Sequence, residues 1–122
     1  MLKQRKTIGE MRAAFEWKVP ARFNIGVDIC DHVAARAPNE PAIIDGEVTT
    51  SFAELRALSN QLANVLSDSA KPGNRVAVLL PQSLETAIAH IAVLKMGAIS
   101  IPLFTLFGPE ALLHRLRDSG AR

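Results

Sequence analysis

The chain of 122 residues has one cysteine, one tryptophan and no tyrosine. Each shortage excludes something. With Cys30 alone, no intrachain disulfide can form. Stability must then come from a packed core, and a reducing compartment such as the cytoplasm is expected. Long apolar runs are missing too. The most apolar stretch, residues 84–107, is interrupted by Glu85, His90, Lys95, Gly97 and Pro102, whereas a membrane span needs ~20 mainly apolar residues. No span is expected. Met1-Leu2-Lys3-Gln4-Arg5-Lys6 is basic, but no apolar segment follows it, so the start does not read as a signal peptide. Gly73, Gly97 and Gly108 are isolated turn glycines, which excludes a P-loop or a dinucleotide fingerprint. There is no internal repeat, low-complexity tract or heptad pattern.

An apolar fraction of 48% with 21% charged residues suits a single globular domain, or part of one. The net charge of +2 is unevenly placed. Residues 1–22 carry Lys3, Arg5, Lys6, Arg12, Lys18 and Arg22 against Glu10 and Glu16, and the remainder is slightly acidic. The body therefore does not read as a basic nucleic-acid-binding domain. The lead is assigned as a basic N-terminal extension, residues 1–22, for which a solvated segment is the commoner meaning.

The remaining segments alternate in kind. Ile8, Met11 and Phe15 allow a short helix, and Trp17, three residues before Pro20, is expected to anchor the lead on the domain. A helix is expected over about 25–37, with Ile29 and Val33 on its apolar face and Pro38 ending it. Ala42-Ile43-Ile44 and Val48-Thr49-Thr50 around Asp45-Gly46 predict a β-hairpin. Ser51-Phe52-Ala53-Glu54 reads as a capping box that opens a helix. The face of that helix, Leu55, Leu58, Leu62 and Val65, is expected to pack on a sheet. Arg75 to Leu80 and Ala98 to Leu103 read as strands buried on both faces. Between them a helix over 83–96 presents Leu84, Ile88, Ile91 and Leu94, with Gly97 as its cap. Two strands joined by one helix form a right-handed parallel crossover. A last helix begins at Gly108-Pro109-Glu110 and is expected to bury Leu112, Leu113 and Leu116. The fold class is thus α/β: a partial parallel sheet with flanking helices, plus a small hairpin.

Few residues invite chemistry. His32, His90 and His114 each stand alone in a helical pattern. In the cluster Asp28, Cys30, Asp31, His32, only Asp28 and His32 share a helix face, so a surface pair is expected rather than a metal site. Cys30 has no basic partner in sequence and reads as a small core residue. Ser83 lies just past a strand but outside any Gly-x-Ser-x-Gly pattern, so a helix N-cap is expected. No catalytic residue and no metal ligand is assigned. The segment Leu103-Phe104-Thr105-Leu106-Phe107-Gly108 follows the carboxyl end of a parallel strand, where open α/β sheets place ligands.

The wording of the chain adds a second line of argument. "PGNRVAVLLPQSLE", "AVLKMGAISIPL" and "FGPEALLHRLRDSGAR" resemble the opening of AMP-forming acyl-CoA synthetases, the carboxylate–CoA ligases of the adenylate-forming superfamily. Trp17, Pro20 and Phe23-Asn24 resemble the entry segment of acetyl- and medium-chain members, and the resemblance covers residues 20 to 120. It departs at Phe52, where the family usually has Tyr, and at Asn74, where it usually has Asp. The resemblance implies that residues 23–122 are the first part of an AMP-binding domain. The chain would then be an N-terminal piece of a longer ligase, inactive alone. The family's phosphate loop, ribose-binding acid and adenylation lysine do not occur in it. For the parent enzyme the resemblance implies ATP, Mg²⁺, CoA and a small-molecule carboxylate, with neither nucleic acid nor a membrane span. By the same resemblance the loop after the second parallel strand lies beside the CoA pantetheine channel. Phe104, Thr105 and Leu106 are therefore the candidate CoA- or substrate-lining residues, although relatives often carry glycines where Thr105 and Leu106 stand. Two other readings stand beside this one. One is a non-catalytic interaction module that self-associates; the other is an adenylating enzyme with a different acceptor.

Overall fold

The computed structural model describes residues 4–121. Met1, Leu2 and Lys3, which open the basic lead, and Arg122 lie outside the described residues. The order of elements is α1 (Ile8–Ala13), a π-helical turn (Val27–Asp31), α2 (His32–Arg36), β1 (Pro41–Asp45), β2 (Val48–Ser51), α3 (Phe52–Leu66), β3 (Arg75–Leu79), α4 (Leu84–Lys95), β4 (Ile99–Leu103) and α5 (Pro109–Ser119).

β1 and β2 pair antiparallel around Gly46-Glu47. β3 and β4 pair parallel, from Arg75 opposite Ile99 to Leu79 opposite Leu103. α4 is the crossover between them, and α3 packs mainly on α4 rather than on the sheet. The α/β class and the crossover therefore stand as expected, in two separate two-stranded sheets. At the base of the parallel pair, Gly73 and Gly97 both have positive φ, which glycine adopts without strain. The Gly73 N–H donates to the Gly97 carbonyl at 2.9 Å, and Ile99 N–H donates to the Asn74 carbonyl at 2.8 Å.

Burial on both faces is not what the strands show. His90 Nδ1 lies 2.7 Å from Ser100 Oγ, which identifies the sheet face that α4 covers. Val76 and Val78 share that face by the two-residue alternation of strands. On the other face Leu79 and Ile99 are exposed, while Leu103, opposite Leu79, is buried. An apolar run records what a strand is built to bury, and here α4 is the helix that packs most closely on the pair.

Four further expectations are corrected. Ile29 is exposed, and Cys30 and Ala34 point inward in its place. The cause is the π-helical turn, whose wider ring closes with His32 N–H donating to the Val27 carbonyl and shifts the phase of the helix. Leu58 is 37% exposed and Val65 more so, while Leu55 and Ser59 are buried. α3 is rotated toward α4, so its inner line runs through positions 55 and 59. Leu112, Leu113 and Leu116 are not buried, because α5 has no large apolar surface to lie against. Trp17 is 81% exposed and does not anchor the lead. Its neighbour is Phe15, edge to face at 4.9 Å.

The core is small. Cys30, Leu55 and Ile91 form its centre, with Ala42, Ile43 and Ile88 packed around them. The capping box of α3 is complete. Ser51 Oγ accepts from Glu54 N–H at 3.3 Å, and Ser51 N–H donates to the Glu54 carboxylate at 2.8 Å. That backbone bond first, and the Ser51 hydroxyl second, hold the Glu54 carboxyl below the usual range. Ser83 caps α4 as expected.

Leu55→Ala should cost about 2–5 kcal/mol, the range for a buried leucine, and Leu58→Ala clearly less because it already meets solvent. Ser51→Ala should cost about 1 kcal/mol. The Glu54 bond favours the ionised form, so its contribution is complete above the ordinary carboxylate range and lost as pH falls through the depressed folded value. Denaturant unfolding of the variants and of Glu54→Gln across acid pH checks these outcomes. Glu54→Gln should remove this acid dependence, and equal losses at Leu55 and Leu58 would refute the orientation of α3.

Candidate functional site

The parallel register sets two loops side by side at the carboxyl end of the sheet, residues 80–83 after β3 and 104–108 after β4. Leu103 is buried and fixes where the second loop starts. Beyond it the chain turns out. Phe104 is 57% exposed, Leu106 is 81% exposed, and Thr105 is exposed as well. The loop is tied down at its far end. Phe107 meets Phe104 edge to face at 5.7 Å, and the Arg115 guanidinium lies 3.9 Å from the Phe107 ring centroid. That cation–π contact joins the loop to α5. Gly108 caps α5 and Pro109 opens it, as the sequence indicates.

The first loop is held from within. Thr86 Oγ1 donates to the Pro81 carbonyl, and Ser83 Oγ accepts from Thr86 N–H at 3.4 Å. A hydrogen bond to the Ser83 side chain, with a lesser one to its own backbone, lowers the pKa of Glu85. Two hollows flank this loop. One, of about 360 Å³, lies between the hairpin and the start of α4 and includes Asp45, Gln82, Ser83, Thr86 and His90. The other, of about 400 Å³, is apolar and runs between α3 and α4 past Leu58, Leu62, Val65, Leu80 and Ile88. Neither hollow takes in Phe104, Thr105 or Leu106.

The other residues considered from sequence fall as follows. Asp28 and His32 form an exposed pair at 3.3 Å, one helical turn apart. Cys30 is buried and free. His90 is engaged with Ser100. Among the described residues no three His, Cys, Asp or Glu side chains converge in a way that could hold a metal ion.

What sequence reasoning missed is the cluster around Lys95. Its side chain is only 6% exposed, and its ammonium donates to Asp31 Oδ1 at 2.7 Å, Ser59 Oγ at 2.9 Å and Asn60 Oδ1 at 2.8 Å. Three donors meet three acceptors, so the amine is fully engaged. Asn24 completes the junction: its amide donates to the Lys95 carbonyl at 2.9 Å and its oxygen accepts from Val27 N–H at 3.0 Å. Gly26 lies against the same turn, where a β-carbon would stand 2.8 Å from the Lys95 backbone nitrogen. The readable signal was a lysine, a serine and an asparagine inside helices that are otherwise apolar on that side. Lys95 joins the helical segments.

Comparison with known proteins now bears on this arrangement. The family model described as "AMP-binding enzyme" matches residues 30–122. The chain belongs to the AMP-binding enzyme family. Mouse mitochondrial acyl-coenzyme A synthetase ACSM3 is 35% identical over 124 residues, 92% of this chain and 21% of that protein. The long-chain-fatty-acid–CoA ligase of Salmonella typhimurium is 35% identical over 105 residues, 84% of this chain and 18% of that protein. Among solved structures, the anthranilate CoA ligase AuaEII in complex with anthranoyl-AMP superposes with a TM-score of 0.79 at 28% identity, over 85% of this chain and 20% of that one. The N-terminal subdomain of Klebsiella oxytoca NpsA gives 0.75 at 28% identity, over 81% of this chain and 26% of that one. The chain thus spans about a fifth of the curated relatives it matches.

Lys95→Met would leave Asp31 and Ser59 without their cation, and breaking such a pair should cost about 3–5 kcal/mol. Gly26→Ala should also destabilise, through the close approach to α4. Asp28→Asn, on the exposed pair, should stay within about 0.5 kcal/mol. Urea melts of the three variants beside the parent chain decide this. A loss at Asp28 as large as that at Lys95 would contradict the assignment of Lys95 as the junction.

Proposed function

We propose that this chain serves an AMP-forming acyl-CoA synthetase as the first part of its AMP-binding domain, with residues 1–22 as a basic extension. In that reaction a carboxylate oxygen attacks the α-phosphorus of ATP, pyrophosphate leaves, and an acyl-adenylate forms. The CoA thiol then attacks the acyl carbon, its proton is lost, and AMP leaves with the bonding pair. The observation that carries this reading is similarity along most of the chain to relatives named as CoA ligases. The position of the 104–108 loop at the carboxyl end of the parallel pair agrees with it.

The residues of the chain do not fit Mg²⁺ bound with ATP. No phosphate-cradling glycine loop occurs in the sequence, and no carboxylate cluster forms among the described residues. The role proposed for the chain is to shape a wall: β4 sets the loop, Arg115 and Phe107 brace it, and Phe104, Thr105 and Leu106 line the CoA channel. Acyl length is left open, because the medium-chain-like wording is matched equally by a long-chain ligase. A cytoplasmic location accords with the free, buried Cys30, and the mouse relative named above is mitochondrial. Among the described residues no helix is long and apolar enough to cross a membrane.

A second reading, adenylation with transfer to another acceptor, is favoured by the match to NpsA, which is also solved as an artificially fused adenylation–PCP di-domain. A third, self-association of the chain by itself, draws on the exposed Leu79 and Ile99 and the outer edges of the two-stranded β3–β4 sheet. Sedimentation should then show oligomers, and a sharp monomer would remove that reading.

The chain alone should not catalyse carboxylate-dependent ATP–pyrophosphate exchange. The positive test is a graft of residues 20–121 into the matching segment of the Salmonella ligase. In a graft that retains exchange, thioester formation should persist. Phe104→Ala should raise the KM for CoA about tenfold, equivalent to ~1.4 kcal/mol of lost contact, with little change in the KM for ATP. An unchanged KM for CoA would favour the other acceptor.

A further inference from the structure

We propose that residues 4–23 form a docking segment for an anionic lipid surface. The segment stands apart from the core: α1 buries none of its residues and has no extensive packing on another described element, and the chain after it runs out to Phe23 without regular structure. Its apolar side chains face outward. Ile8, Met11, Phe15 and the Arg12 stem line an apolar groove of about 320 Å³. Trp17 and Val19 are exposed beyond it, with Phe15 and Trp17 locked edge to face. Large aromatic side chains left exposed in this way are costly in water and at home in the interfacial region of a bilayer.

Charge selects the kind of surface. Arg5, Lys6, Arg12, Lys18 and Arg22 alternate with the apolar positions. The described ion pairs, Asp28–His32 and Asp31–Lys95, involve none of them. Of the two carboxylates in the segment, Glu10 is turned onto the Lys6 backbone N–H at 3.2 Å, capping the short helix. The rest of the chain carries more Asp and Glu than Lys and Arg. An anionic membrane would therefore attract the lead and hold the body away. A nucleic acid would use the cations but leave Ile8, Phe15 and Trp17 in water, so lipid accounts for both halves of the pattern.

The chain carries its own probe. Trp17 is the sole tryptophan and there is no tyrosine. The 122-residue protein is titrated with vesicles of phosphatidylcholine alone and of phosphatidylcholine mixed with phosphatidylglycerol. Trp17 emission should move to shorter wavelength only with the anionic vesicles, be quenched by shallow brominated lipid, and revert at high salt, where charges are screened. Each of Arg12→Gln and Lys18→Gln should lower the partition coefficient about fivefold, and Trp17→Phe should retain binding by co-sedimentation. Circular dichroism confirms that the body is unchanged, as expected for a segment outside the core. No spectral change with anionic vesicles would overturn the proposal, as would an equal change with neutral ones. A shift on concentrating the protein without lipid, or with an oligonucleotide in place of vesicles, would assign the segment to a second copy or to nucleic acid.

Discussion

The ammonium of Lys95 is where the helical part of this molecule is joined. It comes from the last turn of α4 and reaches the π-helical turn through Asp31 and α3 through Ser59 and Asn60. Burying a charge is unfavourable unless each of its donors is met. Here that condition fixes three segments at once, because only one mutual placement brings all three acceptors within reach. Apolar packing supplies most of the driving force for this small core, yet it is tolerant of sliding. The charged junction is not.

The π-helical turn makes sense in that light. A regular helix from Asn24 would leave Asp31 and Cys30 out of phase with their partners. The widened turn brings Cys30 into the core and Asp31 to the lysine, while Gly26 lets the backbone approach α4 closely. Asn24 starts that helix and ends α4 with the same side chain. The position of β4 follows, since α4 leads into it through Gly97, and the loop bearing Phe104, Thr105 and Leu106 begins where β4 stops.

Much of this was legible in the sequence, for physical reasons. Capping chemistry is local, so Ser51, Ser83 and Gly108 mark their helices with no knowledge of the rest of the fold. The two apolar strands around a helical pattern can hardly form anything but a crossover. What was not legible depends on distant partners. Helix phase at Ile29 and Leu58 is set by contacts far apart in sequence, and a π-helical turn has no compositional mark. The outward turn of Trp17 and the half-covered strands share one cause: an apolar residue declares that it seeks cover without saying whether this stretch of chain provides it. The loop after β4 lies where the strand pattern placed it, and Phe104 and Leu106 stand exposed on it.

The paired glycines beneath the sheet divide it mechanically. Gly73 and Gly97 bind each other where β3 and β4 begin, and Asn74 and Ile99 add a second link. At the opposite end the strands release two loops that are braced separately, one through Thr86 and one through Arg115. The sheet is thus clamped at its foot and divided at its crest. A load applied at the crest would splay the two loops before it disturbed the strands.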